Sequence, residues 1–379
     1  MKTVQQIMEE NNSKHNIAMF MQLQKMPYEY KVYHAEEVAE SFVQMCRERE
    51  VNCHISVGGL DSITLLVFLR DLGERRCIPE LRDIPAVSCS RLEDKSIQEV
   101  HKQLGVEPLP PLKREDGKEW NKAMILQEFG FPVLSKEIAA KIELLQAQSP
   151  KSATVRHAII TGETGEYGGY QKHSRMKLSQ KWLEKFGGYE NDAEGVNYQI
   201  APFKVSSKCC YYLKERPADL WAKEHNSVPF LGLMASEGGR REKSLKMHGC
   251  NYWGSSTVRS APFAIFDRQD VLKLNRQLNA PVPEIYGEIA TLPNCSLCTT
   301  KAQRTGCDMC GFGIHLEKRP HRFDLLRERD EKLWEFWMYR CCHDPDGTPY
   351  GWGRVLDYIG VEWETPPTPT NMHEQLSFF

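Results

Sequence analysis

A glycine turn at residues 56–62 has the residue types of a phosphate-binding loop. Apolar residues alternate over 51–57 as in a strand, and those of 63–69 recur at helical spacing. Between them, Gly58-Gly59 precedes Asp61-Ser62. A strand, glycine turn and helix present backbone N–H groups and a positive helix end to an anion, and glycine permits its close approach. A plain tight turn explains the glycine pair equally well when it is considered alone.

The cysteines are the second set of residues with chemical potential. Among thirteen, four form Cys295-x2-Cys298-x8-Cys307-x2-Cys310, two knuckles that could wrap a tetrahedral zinc ion. The adjacent pair Cys209-Cys210 is compatible with ligation or with burial as small hydrophobes. We expect Cys53 to be strand core. For Cys341-Cys342-His343, local packing is favoured over a thiol site.

At the glycine turn the sequence resembles the family of PP-loop ATP pyrophosphatases and PAPS reductases, whose motif is SGGxDS between a strand and a helix. Gly58, Gly59, Asp61 and Ser62 match that motif. The resemblance implies that these four residues bind an adenine nucleotide. The sequence departs at Val57 and Leu60, where the family usually has serine and many members have lysine. These departures remove a hydroxyl and a positive charge that would assist phosphoanhydride cleavage.

Two cysteine segments extend the resemblance. Lys208-Cys209-Cys210, followed by Lys214 and Pro217, resembles the CC element of assimilatory APS reductases, which binds a 4Fe-4S cluster together with a distant CxxC. The stretch from Arg304 to Gly313 resembles the RTGCxxCxFG segment of bacterial and phage PAPS reductase-like proteins. The resemblance therefore implies a 4Fe-4S cluster, and zinc at the knuckle is the alternative. The implied cluster ligands are Cys209, Cys210, Cys307 and Cys310.

A further loop carries candidate arginines. Gly232–Glu237 followed by Arg240-Arg241 resembles the family loop that presents an arginine to the nucleotide or its anionic substituent. The planar fork of arginine suits phosphate or sulfate, and a loop with idle solvated arginines is the alternative. The resemblance covers most of the chain from about residue 51 to 363, including the segments Phe131–Glu137, Ala201–Ser206 and Val355–Ile359.

The resemblance implies an enzyme of sulfur metabolism that binds ATP or APS/PAPS, with Mg as a candidate companion ion. Sulfonucleotide reductases attack with a cysteine near the C-terminus, and the segment after Thr365 contains none. We therefore expect sulfur transfer or nucleotide-activated chemistry on another acceptor, with a nucleic acid as one candidate. The alternatives are a genuine APS/PAPS reductase using Cys341 or Cys342, and a non-catalytic nucleotide-binding protein associated with DNA.

The elements that must position these residues are predicted from alternating strands and helices, which favour an open, mainly parallel sheet with helices on both faces. Ligands of such sheets bind at the carboxyl ends of the strands. We expect apolar strands before each of four loops that meet at one pocket. The strand positions are 51–57, 84–87, 158–160 and 230–234. Predicted divisions are a helical lead-in at 1–50, a nucleotide-binding α/β domain at 51–290, a Cys-rich and helical region at 291–364 and a flexible tail at 365–379. Within the third division, we expect the aromatic stretch 322–340 to be helical.

Composition limits the protein classes. A formal charge of −2 and a pI near 6.6 exclude a protein coated with positive charge for non-specific nucleic-acid binding. The basic run from Lys172 to Lys185 is a candidate for local contact, although a solvated helix face is favoured. No apolar run reaches the about 18 residues of a membrane span, and no signal peptide is recognised. We expect a cytoplasmic protein without a membrane partner.

The last residues, Gln375-Leu376-Ser377-Phe378-Phe379, resemble the QLSLF-type peptide that docks bacterial replication and repair proteins on the sliding clamp. A proline-rich stretch precedes the motif and would keep it extended. The alternative is that these apolar side chains fold back onto their own domain.

Overall fold

The structure is a computed structural model of the 379-residue chain that describes residues 16–149, 153–164, 176–189, 198–255, 257–307 and 309–365. The chain forms two compact units, each built from two separate stretches. The first unit comprises Met1–Pro110 and Pro217–Cys307. The second comprises Pro111–Arg216 and Asp308–Phe379.

A six-stranded sheet organises the first unit, in the order β3-β2-β1-β4-β6-β5. Every neighbouring pair is parallel except β5 with β6, which is antiparallel. The unit is α/β, as the sequence predicts. The strands are β1 Asn52–Ser56, β2 Ala86–Ser88, β3 Glu107–Pro108, β4 Ser227–Leu231, β5 Asn251–Trp253 and β6 Val258–Ser260, and a separate hairpin pairs β7 Ile289–Thr291 with β8 Leu297–Thr299.

The central strands of the sheet are buried on both faces because helices cover them. Along β1, the consecutive residues Cys53, His54 and Ile55 are all buried. Such burial is typical of a strand between two helical layers. The described helices of this unit are residues 16–23, Tyr28–Glu48, Leu60–Arg75, Pro79–Arg82, Lys95–Gln103, Arg216–Glu224, which begins at the unit boundary, Gly239–His248 and Arg268–Gln277.

The second unit is mainly helical and has its own aromatic core. Trp352 is fully buried, and the rings of Phe131 and Phe323 pack edge-on against it at centroid distances of 5.0 and 5.3 Å. A short hairpin pairs β9 Cys342–His343 with β10 Pro349–Tyr350. The described helices are Lys122–Phe129, Lys136–Ala147, Ala153–Thr161, Gln180–Phe186, Lys208–Cys210, Arg322–Arg329, Glu331–Glu335 and Trp352–Ile359, with π-helical turns at Tyr211–Glu215 and Phe336–Arg340.

One local prediction needs correction. The apolar residues 158–160, predicted as a strand, lie in the helix Ala153–Thr161 of the second unit. A run of three apolar residues fits either a strand or a helix. Here the run lies near the C-terminal end of a helix that begins at Ala153. The aromatic stretch 322–340, predicted to be helical, is helical except at Asp330, whose side chain caps a new helix by accepting a hydrogen bond from Leu333 N–H at 3.0 Å.

Within the described ranges, every helix is too short or too polar to cross a membrane.

Candidate functional site

The glycine turn lies at the carboxyl end of β1, directly before the helix Leu60–Arg75. The Ser62 hydroxyl accepts a hydrogen bond from Gly58 N–H at 2.7 Å and donates one to the Gly59 carbonyl at 2.8 Å. Ser62 therefore fixes the turn from within. The predicted loops after β2 and β4 leave the same edge of the sheet, because both strands run parallel to β1. The loop at residues 161–165 follows a helix instead of a strand.

His101 connects the glycine turn with the loop after β2. Its Nε2 lies 2.8 Å from the Gly58 carbonyl oxygen, and its Nδ1 lies 2.8 Å from the Ser90 hydroxyl. A carbonyl can only accept, so Nε2 carries the proton and Nδ1 accepts from Ser90. His101 is buried, at 1% exposure. No sequence pattern singles out His101, because it lies in an amphipathic helix without a recognisable motif.

Asp61 forms an ion pair with Arg268, and both side chains are 29% exposed. Arg268 is also held by a hydrogen bond to the Gln303 carbonyl at 3.2 Å. Burial raises the pKa of Asp61, and the positive charge of Arg268 opposes that rise. Asp61, predicted as a nucleotide-binding residue, therefore holds an arginine in place. Arg268 was missed because 207 residues separate it from Asp61.

Two more arginines meet at one carboxylate. Glu237 Oε1 accepts a hydrogen bond from Arg241 Nη1 and another from Arg304 Nη2, each at 2.6 Å. The carboxylate is only 11% exposed, whereas the arginine side chains are 54% and 68% exposed. The charges of all three residues act on the pKa of Asp61, and Arg304 directly precedes Thr305, whose hydroxyl contacts Tyr286 at the start of the helix Leu60–Arg75. The structure thus brings the predicted Arg241 to this edge. The side chain of Arg240 lies outside the described part of the chain.

The Tyr286 hydroxyl lies at the N-terminal end of the helix Leu60–Arg75. It accepts a hydrogen bond from Leu60 N–H at 3.2 Å and shares another with the Thr305 hydroxyl at 2.6 Å. A Cβ at Gly59 would lie 2.3 Å from this hydroxyl oxygen, so a larger residue there would have to displace Tyr286. Tyr286 thus occupies one of the helix N–H groups that an anion would bind.

The two departures from the family motif are both core residues. Val57 is 5% exposed and lies in the main core, and Leu60 is 1% exposed. Leu60 packs in a cluster with Ile97, Leu272 and Tyr286. Position 60 therefore contributes packing at a place where a lysine would contribute charge.

In the second unit, the segment 131–137 contacts both elements that carry candidate cysteines. Phe131 forms a bridge with Val205, shortly before the helix Lys208–Cys210. Leu134 forms a bridge with Phe312, two residues after Cys310, and its carbonyl accepts a hydrogen bond from Gly313 N–H at 2.7 Å. Leu134 has a φ of 63°, a left-handed conformation that costs a non-glycine residue about 1–2 kcal/mol. Buried contacts hold this conformation, since Leu134 is 1% exposed.

Lys136 places a positive charge beside Cys210. Its ammonium group pairs with Glu215 at 2.7 Å and also interacts with the Cys210 thiol. Burial lowers the pKa of Lys136, but Cys210 and Glu215 together outweigh burial and raise it. A neighbouring cation stabilises the thiolate that a metal ligand must provide. Of the other proposed ligands, Cys209 is buried and Cys310 half-buried, and Cys307 is the last residue of the first unit.

The alternative zinc knuckle adds Cys295 and Cys298, both in the first unit. Cys295 is exposed, whereas Cys298 is buried in β8. None of the thirteen cysteines, all of which lie in the described residues, forms a disulfide. The donors therefore suit either metal centre chemically. Among the described residues, no three His, Cys, Asp or Glu side chains are grouped as around a metal ion.

The Cys341-Cys342 pair is buried. The Cys341 thiol donates to the Trp337 carbonyl at 3.3 Å and lies 4.0 Å from the Cys342 sulfur. The neighbouring thiol, together with burial, raises the pKa of Cys342. A thiol held neutral and away from solvent is a poor nucleophile.

A scan against protein-family models found no match to the sequence, and searches of curated proteins and of solved structures found none either. What the site does must therefore be inferred from its own residues.

Proposed function

We propose that the chain binds an adenine nucleotide, either ATP or APS/PAPS, at the carboxyl edge of the first unit's sheet. The supporting observation is the concentration of Arg241, Arg268 and Arg304 next to the glycine turn. Their forks match phosphate and sulfate oxygens, and the helix end favours negative charge. This placement follows the general rule for ligands of parallel sheets.

We further propose that the protein is a PAPS reductase-like enzyme with a PP-loop fold that uses the nucleotide for sulfur transfer or for activating an acceptor. The phosphates would lie beside the glycine turn at the positive end of the helix Leu60–Arg75, with Asp61 orienting Arg268 and His101 fixing the Gly58 carbonyl. The arginines would stabilise charge that develops on a leaving phosphate or sulfate. Leaving-group stabilisation would depend on them, because position 60 has no cation. A nucleic acid is the candidate acceptor.

Calorimetric titration with ATP, APS and PAPS in the presence of Mg²⁺ tests the nucleotide site. Arg241→Ala and Arg304→Ala should each weaken binding about tenfold, the loss expected for a charge-assisted hydrogen bond. Lys246→Ala is the control, because Lys246 lies on the same helix and pairs with Glu242 at 2.6 Å. Failure of the wild-type protein to bind all three nucleotides would refute the proposal.

For the cofactor, we propose a 4Fe-4S cluster held by Cys209, Cys210, Cys307 and Cys310. Bound there, a cluster would supply electrons or tune sulfur chemistry. The support is the thiol donor set and the Lys136 cation beside Cys210. Zinc bound by Cys295, Cys298, Cys307 and Cys310 is the alternative.

Metal analysis of anaerobically purified protein separates these two sets. One cluster gives about four irons per chain and a brown colour. Cys307→Ala should remove the metal under either ligand set, whereas Cys210→Ala should remove it only from the cluster and Cys295→Ala only from the zinc site. Colourless protein with one zinc per chain would contradict the cluster proposal.

A non-catalytic nucleotide-binding role is the second candidate. It is favoured by the burial of Val57 and Leu60, which fill with core side chains the positions where catalytic polar groups would stand. Pyrophosphate release from ATP and turnover of APS or PAPS distinguish the two. Nucleotide binding without either reaction, in protein with its metal restored, would select the accessory role over the enzyme.

We also propose the bacterial sliding clamp as a partner through Gln375–Phe379, which lies outside the described residues. Leu376 and Phe379 would fill an apolar groove. A peptide of the last ten residues should bind purified clamp with a Kd on the order of micromolar. The same peptide with Leu376→Ala and Phe379→Ala is the control. No binding at about 100 micromolar would remove the clamp from the candidate partners.

A further inference from the structure

Glu237 lies between Arg241 and Arg304, and one of its carboxylate oxygens accepts hydrogen bonds from both. Both Arg241 and Arg304 donate to Oε1, each at 2.6 Å, while the carboxylate is 11% exposed. A solvated surface ion pair would leave the carboxylate in water. Here the acid is largely enclosed and its two partners face solvent, so the arginines and not the acid are accessible to a ligand.

The surrounding turn is fixed by contacts other than the Glu237 ion pairs. Ala235 N–H donates to the Ala264 carbonyl at 3.0 Å, and the Ser236 hydroxyl donates to the Phe266 carbonyl at 3.0 Å. The Glu237 carboxylate adds only a long hydrogen bond of 3.5 Å from Met234 N–H. Loss of the Glu237 charge should therefore leave the backbone of the turn in place.

Charge determines what Glu237 does to an incoming anion. Three arginines and the two carboxylates of Asp61 and Glu237 leave this group with one net positive charge. An anionic oxygen that contacts Arg241 and Arg304 must lie near Glu237, because one carboxylate oxygen joins both guanidiniums. The negative charges of the ligand and of Glu237 repel each other at such close range, and both compete for the same guanidinium N–H donors.

We infer that Glu237 is an affinity-determining residue that acts as an internal competitor for the anionic group of the ligand. The inference rests on the proposed nucleotide site and adds a selection rule to it. A ligand gains from the two arginines only if it offers several charged oxygens, as a diphosphate, triphosphate or phosphosulfate group does. A neutral nucleoside makes no such contact, so Glu237 does not affect its binding.

Calorimetry with ATP, inorganic pyrophosphate and adenosine tests the inference on four proteins. These are the wild type, Glu237→Gln, Glu237→Asp and Glu242→Gln. Glutamine removes the charge at nearly constant shape, and aspartate retains it. Glu242→Gln makes the same charge change on the next helix, Gly239–His248, where Glu242 pairs with Lys246 at 2.6 Å. Circular dichroism verifies folding, and Glu237→Ala replaces the glutamine variant if the latter does not fold.

Glu237→Gln should bind ATP and pyrophosphate about tenfold more tightly, the size expected from removing one like charge at a partly screened site. The affinity for adenosine should stay at the wild-type level in every variant. Glu237→Asp and Glu242→Gln should bind ATP and pyrophosphate with the affinity of the wild type. If Glu237→Gln binds the two anions as tightly as the wild type or more weakly, the inference is overturned. Binding of ATP by the wild-type protein would still leave the nucleotide proposal standing. If neither wild type nor any variant binds the three ligands, both are overturned.

Discussion

At the scale of single residues, Leu60 illustrates how packing and chemistry compete for one position. It begins the helix after the glycine turn, yet it is 1% exposed and packs with Ile97, Leu272 and Tyr286. A lysine here would have to lose hydration or leave this cluster. In the proposed nucleotide site, the charge that binds phosphate would therefore come from the arginines around Asp61 and Glu237.

Replacing Leu60 with lysine should lower the free energy of unfolding by about 2–4 kcal/mol, because a charged group enters an apolar cluster. Urea denaturation followed by circular dichroism measures the change. Leu60→Met is the matched control, and its cost should stay below about 1.5 kcal/mol because side-chain volume is nearly conserved. A Leu60→Lys protein as stable as the wild type would show that position 60 can accommodate the cation.

The sequence predicted some site residues better than others. Gly58, Gly59, Asp61 and Ser62 form a contiguous motif and could be singled out, although Asp61 and Ser62 contact the protein itself. Residues that come from distant segments could not be found, because their role depends on tertiary contacts that no local spacing encodes. His101, Arg268 and Tyr286 are such residues, the last being 226 positions from its partner Leu60.

At the scale of elements, β1 is one of the two central strands of the sheet and carries a buried imidazole. His54 is 1% exposed, and its Nδ1 lies 2.8 Å from the Ser227 hydroxyl on β4. The ring of Trp221 packs edge-on at 5.0 Å. Burial, with a smaller effect from the charge of His225, lowers the pKa of His54 to about 4.

This lowered pKa predicts a loss of stability in mild acid. An unfolded histidine titrates near pH 6.5, so between pH 6.5 and 4 the unfolded state binds more protons than the folded state. The contribution of His54 is intact above about pH 7 and declines as the pH falls through this window, by about 3 kcal/mol in total. Urea midpoints measured from pH 7.5 to 4.5 should show the decline.

His54→Asn is the comparison for this effect, because its amide can still reach Ser227 but does not titrate. Its stability should depend less on pH than that of the wild type over the same range. Identical pH dependence in the two proteins would assign the acid sensitivity to other groups.

Elements were predictable where the apolar pattern was long. The strand at 51–57 and the helix after it are present as β1 and Leu60–Arg75. The short run 158–160 was misassigned because three apolar residues fit either period. In the predicted helix over 322–340, the pattern did not reveal the capping role of Asp330.

At the scale of the whole molecule, chain order and spatial order differ. The first unit takes β1, β2 and β3 from Met1–Pro110 and β4, β5 and β6 from Pro217–Cys307. The predicted boundaries at 50, 290 and 364 divide the chain into consecutive segments, because composition and residue spacing report only on neighbouring residues. Neither composition nor spacing indicates that Pro111–Arg216 packs with Asp308–Phe379.

Because each unit needs both of its stretches, a fragment that ends at Arg216 should not fold. It lacks β4, which pairs with all five residues of β1, whereas β2 pairs with only two of them. It also lacks Phe323 and Trp352, which are fully buried in the core of the second unit. Two incomplete cores cannot offset the conformational entropy of the chain. We therefore expect no cooperative urea transition and no near-ultraviolet circular dichroism from residues 1–216, while the full chain shows both.

Co-expression with residues 217–379 should restore both signals, because it supplies the missing strands and core. A cooperative transition in the isolated fragment would mean that β1, β2 and β3 with their helices form a stable unit without β4, contrary to the continuity of the sheet.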